Sequence, residues 1–187
     1  FGWLGVLGQE WTSVPYNYED DQKYDFENAA SEVRIDSVWT GLYNAIANAN
    51  KLLKELEGKE NLFSGDNYSI IKGEVLALRA YLHFDLLRIF GASCAVGMER
   101  IAIPYVTEYA PTIFPQEKVG DFVGKVLKDL QDAAKCLEND PILTGRTVSE
   151  IDDNGYLMNR QVHLNYYAVK GLMARVYLYK GDYANAE

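Results

Sequence analysis

Residues 68–90 read YSIIKGEVLALRAYLHFDLLRIF, and no other stretch constrains the fold so tightly. At helical spacing Ile71, Val75, Leu78, Leu82, Leu86 and Ile89 form one apolar stripe, Leu76, Ala80 and Leu87 a second, and Ala77, Tyr81 and Phe84 a third. A helix that is apolar on nearly every side has to be enclosed by neighbours. The remaining chain must therefore supply covering helices, and the predicted fold class is all-α.

Those helices are visible as periodic segments. From Ser37 the apolar residues Trp39, Leu42, Ile46, Ala49, Leu53 and Leu56 recur at three and four, with Asp36 or Ser37 available as cap and Gly58 as terminator. This segment and residues 68–90, which Gly91 closes, predict an antiparallel hairpin. Residues 92–115 hold Gly97, Pro104, Pro111 and Pro115 and show no period, so they read as a long connection, extended around IAIPYV. Pro115 suits the first turn of the next helix. That helix is amphipathic through Val119, Phe122, Val126, Leu130, Ala133 and Leu137. After a second long loop, a fourth helix is expected from about Asn165 to Lys180, closed by Gly181.

A faint repeat types the hairpins. LRAYL at 78–82 and ARVYL at 174–178 align Arg79 with Arg175 and Tyr81 with Tyr177. Ala174, Tyr177, Gly181, Tyr183 and Ala186 fall on the small, aromatic and turn positions of a tetratricopeptide pattern, where small residues let paired helices approach closely. The expected architecture is tetratricopeptide-like helical hairpins with long connecting loops, in one domain over residues 1–187. The chain begins at Phe1 and stops at Glu187 inside this pattern, which reads as a piece of something longer.

Charge narrows the function. A formal charge of −9 with 18 basic residues argues against nucleic acid as a partner, because neutralising phosphates requires a clustered basic surface. Catalytic signatures are missing. There are two histidines, His83 and His163, and no GxSxG, HExxH, Walker or GxGxxG pattern, so no catalytic residue, metal site or cofactor is assigned. Glu150, Asp152, Asn154, Gly155 and Gln161 approach a calcium-loop spacing, but Gln161 stands where a bidentate carboxylate is needed, and a polar turn at 153–155 fits better. Cys94 and Cys136 lack metal spacing and read as free or buried thiols, although a disulfide stays open. Arg79, Arg175 and His83 lie in apolar helices and read as polar groups satisfied at buried helix contacts.

Residues 1–35 are different in kind, aromatic and acidic without a sustained period, so beyond a short helix ending near Gly8 they read as loop. Trp11, Tyr16 and Tyr18 cluster there around Pro15, with Asn17, Glu19, Asp20 and Asp21 beside them. Flat rings next to amides and carboxylates suit a sugar, whose CH faces stack while its hydroxyls are bonded at the edge. The same rings could equally pack over the helices as a lid, which is the plainer reading of the residues alone.

The order of segments VWTGLYNAIANANKLLKEL, GEVLALRAYLHFDLLRIFG, IPYV, DFVGKVLKDLQDAAKCL and YYAVKGLMARVYLYKGDYANA resembles the N-terminal portion of the SusD/RagB family of outer-membrane glycan-binding lipoproteins. The resemblance covers about residues 38–187. It is most specific at Trp39 with Tyr43 and Ala49-Asn50, and at Glu74 with Arg79-Ala80-Tyr81. It implies a non-enzymatic protein that binds oligosaccharide at the outer-membrane surface and delivers it to a SusC-type TonB-dependent porin. Membrane contact would run only through a lipid anchor that this chain does not carry. It also implies that part of the glycan site lies just before the Trp39 motif, which makes Trp11, Tyr16 and Tyr18 the candidate ligand-binding residues. A tetratricopeptide-type adaptor that binds peptides in its groove is the alternative, and loop aromatics favour the glycan binder.

Overall fold

The computed structural model describes residues 2–146, 148–149 and 155–187. It is all-α and tetratricopeptide-like, with no strand among the described residues. The chain divides into two compact units, Phe1–Asn44 and Ala45–Glu187.

In the first unit lie α1 (Trp3–Leu7), a 3-10 turn (Tyr16–Tyr18), α2 (Glu19–Gln22) and the opening turns of α3 (Ala29–Leu56). The loop expected over most of residues 1–35 is thus punctuated by short helical turns. Helix α3 also starts eight residues before Ser37. Its cap is Asn28, whose Oδ1 accepts from the amides of Ala30 at 3.1 Å and Ser31 at 2.9 Å. Ser37 is inside the helix, its hydroxyl donating to the Val33 carbonyl one turn back at 2.7 Å. The added turns carry Ala29, Ala30, an exposed Val33 and the buried Ser31, so they show no apolar period.

The second unit contains the rest of α3, α4 (Asn67–Phe90), α5 (Val119–Cys136), α6 (Pro141–Thr144), α7 (Tyr166–Lys180) and α8 (Tyr183–Ala186), with 3-10 turns at Glu60–Leu62 and Arg160–Val162. Helix α4 matches the expected central element to within one residue. Ile70, Leu86 and Leu87 are fully buried and Phe84 nearly so; each such side chain contributes about 1.5–3 kcal/mol of transfer free energy. Enclosure is incomplete at Leu78 in the first stripe and Tyr81 in the third, each of which keeps more than a third of its surface exposed.

Helix α4 packs chiefly on α5, and α5 in turn on α7. The α4–α5 contact is tight at Gly73, where a Cβ would fall 2.8 Å from Leu137 Cγ and 3.0 Å from the Ala133 carbonyl oxygen. Glycine there is a packing requirement that outweighs its poor helix propensity. Gly181 ends α7 in the left-handed region at φ 80°, and the Asp182 amide reaches back to the Tyr177 carbonyl at 2.9 Å, as in a Schellman turn.

Between α4 and α5 the connection carries no helix through residues 102–107, and its start at 101–103 pairs with residues 117–118. Pro115 stays in this connection and does not enter α5. The Ala102 amide donates to the Glu117 carbonyl at 2.8 Å, and Ile101 and Lys118 form an isolated bridge, which holds residues 116–118 extended until Val119. The first amides of α5 are then satisfied by backbone, with Val119 donating to the Arg100 carbonyl and Gly120 to that of Met98, each at 2.9 Å.

Candidate functional site

The loop that carries Trp11, Tyr16 and Tyr18 is braced by polar side chains of its own unit. Gln9 Nε2 donates to the Gln22 carbonyl at 2.7 Å, and Gln22 Nε2 donates to that of Trp11 at 3.0 Å. The Tyr24 hydroxyl donates to the Leu7 carbonyl at 2.7 Å, and Arg34 Nη2 to that of Asn17 at 2.5 Å. At the centre lies Asp21, fully buried, which accepts from Trp3 Nε1 at 3.0 Å and pairs with Arg34. A buried carboxylate without such partners would cost far more than it contributes.

On this frame the three rings differ. Tyr16 is 87% exposed and Trp11 42% exposed. The Trp11 indole leans on α1, where a Cβ on Gly5 would approach its Nε1 to 3.1 Å. Tyr18 is half-buried, with the Arg34 guanidinium 4.5 Å from its ring centroid. Two rings are thus presented outward, while the third is committed to a cation. Asp21 and Arg34, which hold the loop, carried no sequence signal beyond being charged residues in a polar stretch.

The motif residues Asn50 and Arg79 meet in a buried network in the second unit. Arg79 grips Asp129 with Nε on Oδ2 and Nη2 on Oδ1, both at 2.7 Å, and its Nη1 donates to Asn50 Oδ1 at 2.9 Å. The Tyr105 hydroxyl also donates to Asp129, at 2.7 Å. Asn50 Nδ2 donates to the Val106 carbonyl at 2.9 Å, and the Val106 amide donates to His83 Nε2 at 2.9 Å. Since Nε2 accepts, the proton sits on Nδ1, which lies 2.9 Å from the Arg79 carbonyl. Helices α3, α4 and α5 and the extended connection are thereby joined through side chains of α4. Arg175, paired with Arg79 by the repeat, has no such place: α7 turns Val169, Leu172 and Val176 inward and leaves Arg175 exposed.

His83 is completely buried and stacked on Tyr105 at 3.9 Å. Burial pushes its pKa from 6.5 down to about 3. The unfolded chain takes up a proton below pH 6.5 that the folded chain refuses, so stability is complete above 6.5 and falls as pH drops toward 3. The loss approaches about 1.4 kcal/mol per pH unit. Thermal melts from pH 7 to 4 should show this decline, and His83→Gln should flatten it while lowering the melting temperature at pH 7.

Glu74, which stands in the same motif as Arg79, joins a second network. Arg160 takes Asp140 bidentately, Nε to Oδ1 at 3.0 Å and Nη2 to Oδ2 at 2.8 Å, and reaches Glu74 Oε1 with Nη1 at 2.5 Å. The Tyr156 hydroxyl donates to the other Glu74 oxygen at 2.8 Å. Asp140 also caps α6 through the Ile142 amide at 3.1 Å and accepts from the Tyr166 amide at 3.2 Å. Asn165 caps α7, its Oδ1 accepting from the Ala168 amide at 2.9 Å.

Cys94 and Cys136 are free and half-buried, and burial pushes both thiols up from their ordinary pKa. Most of the calcium-like spacing, Glu150 to Asn154, lies outside the described residues. Among the described residues no cluster of three or more His, Cys, Asp or Glu is arranged to hold a metal ion. No helix among them is long and apolar enough to cross a membrane.

A family model, SusD-like and described as "Starch-binding associating with outer membrane", matches residues 7–178. The chain belongs to this SusD-like family. No curated protein matches it. Among solved structures, a SusD-like carbohydrate binding protein from Bacteroides vulgatus is 18% identical with a TM-score of 0.72, over 93% of this chain and 34% of that protein. A laminarin binding SusD-like protein is 23% identical with a TM-score of 0.59, over 80% of this chain and 28% of its own. A structure solved with a xylogluco-oligosaccharide is 21% identical with a TM-score of 0.60, over 88% of this chain and 27% of its own. At these identities the likeness shows the shared fold, and the chain spans about a third or less of each protein.

Proposed function

We propose that this chain is the helical, ring-bearing part of a non-catalytic glycan-binding protein of the outer-membrane surface, one that hands oligosaccharide to a SusC-type TonB-dependent porin. The observation that carries the reading is the match to the starch-binding family over residues 7–178, a span that includes Trp11, Tyr16 and Tyr18. The exposure of Trp11 and Tyr16 on a braced loop supports a stacking role, because a sugar face needs an accessible ring held in a fixed orientation. The exposed carboxylates of Glu19 and Asp20 beside them supply acceptors for hydroxyls.

The test is calorimetric titration of the protein with oligosaccharides derived from starch, laminarin and xyloglucan. Loss of one stacking ring removes about 1–3 kcal/mol, by analogy with bases on aromatic platforms. Trp11→Ala and Tyr16→Ala should therefore each weaken binding about five- to a hundredfold and leave the melting temperature within a degree or two. Tyr18→Ala should also lower the melting temperature, because it removes the partner of Arg34. The glycan should be recovered uncleaved. Unchanged affinity in both Trp11→Ala and Tyr16→Ala would remove this loop from the site.

A further inference from the structure

A cleft in the second unit has the composition of a ligand site, although the motifs point to none there. It encloses about 460 Å³, within the range of small-molecule sites. Its lining includes Tyr68, from the first turn of α4, Tyr109, from the connection to α5, and the apolar side chains Leu53 and Leu76. Asn50 and Arg79, both more than nine-tenths buried, also line it.

The connection is fixed just before Tyr109. Val106 is held at both its amide and its carbonyl, and Arg79 Nη1 reaches the Thr107 carbonyl at 3.4 Å. Tyr109 is nonetheless 49% exposed, with the Lys51 ammonium 5.6 Å from its centroid. A large ring left half open on a pinned backbone is a recognition element, since the cost of ordering it is met by the fold before any ligand arrives. Lys72 stands 5.6 Å from the centroid of Tyr68 in the same way.

The charges on the rim specify the ligand. Lys54 and Lys72 are balanced by Glu57 and Glu108 in the lining, Lys51 beside Tyr109 by Glu60 beside Tyr68, and the Arg79 charge by Asp129. Neither an anion nor a cation gains a net attraction there. A neutral ring bearing hydroxyls can donate to the carboxylates, accept from the ammonium groups and lay its CH face on tyrosine. We propose that the Tyr68–Tyr109 cleft is a second saccharide subsite, selective for a neutral pyranose ring and built entirely from residues of the second unit; the proposal rests on the glycan-binding reading above.

Backbone amide shifts of the isotopically labelled chain, titrated with malto-, laminari- and xylogluco-oligosaccharides, separate the two. The expected result is a saturable response at residues 68–72 and 107–110 with at least one of these sugars. Tyr109→Ala should weaken that response about five- to a hundredfold with an unchanged melt, and Tyr16→Ala should leave it intact. Shifts confined to residues 9–22 would overturn the second subsite and leave the proposed function standing. No shift anywhere with any of the three would overturn both. Tighter binding of an oligogalacturonate than of the neutral sugars at residues 107–110 would overturn the neutral-ring assignment.

Discussion

Arg79→Met is expected to lower the unfolding free energy by about 3–5 kcal/mol, the range found when one partner of a buried ion pair is deleted. The methionine introduced is nearly long enough to fill the space the arginine leaves, so packing is not the main term. What remains is the Asp129 carboxylate, mostly buried and left with the Tyr105 hydroxyl alone. Asn50 Oδ1 and the Thr107 carbonyl lose their donor as well. Chemical denaturation gives the number, and a second substitution tests its cause. Adding Asp129→Leu should recover part of the loss, because the stranded charge is gone, so the double variant should fall well short of the sum of the two singles. A change below about 1 kcal/mol for Arg79→Met would mean that water reaches the pair.

Arg160→Met is expected to cost a similar amount at pH 7, with a different dependence on acidity. Burial by itself would push the Asp140 carboxyl up, but the Arg160 guanidinium and the Ile142 amide hold it below its ordinary value. In the folded protein this stabilisation is present above the unfolded value of 3.8 and is lost as pH falls through the lower folded value. Without Arg160 nothing cationic opposes burial, and Asp140 and Glu74 are left to repel each other. The gap between the parent protein and the variant should therefore be widest near neutrality and narrow below about pH 4, where protonated carboxyls no longer require a cation. Denaturation curves at pH 7 and pH 3.5 measure both ends; equal gaps would place the loss in packing.

The helices that could be read from the sequence are those whose burial repeats with the helical period. Helix α4 appears almost to the residue, and α5 and α7 nearly so, because burying one face imposes that period on the sequence. The first two turns of α3 were hidden, since Asn28 builds them with two hydrogen bonds and little apolar surface. Single residues were harder. Arg79 and Arg175 stand in the same five-residue pattern, yet one is the hub of a buried network and the other is exposed; the difference lies in whether a carboxylate waits across the contact. Glu74 was visible as part of a motif while Arg160 was not, because partners 86 positions apart leave no local trace. The rings of the Trp11 loop could be found by their density, but nothing in the sequence distinguishes the outward Tyr16 from Tyr18, which is taken up by Arg34.

The distance between Arg79 and Asp129 along the chain also bears on how the molecule comes to be made. The two are 50 positions apart, with the whole connection between them. As the polypeptide emerges from the ribosome, α4 is complete before its carboxylate partner exists, so its guanidinium cannot yet be buried without a large penalty. Helix α4 alone is therefore not a folding unit. The smallest piece that can close this network runs from Asn50 in α3 to Asp129 in α5, and until Asp129 is synthesised the most apolar helix of the protein carries a cation it cannot bury.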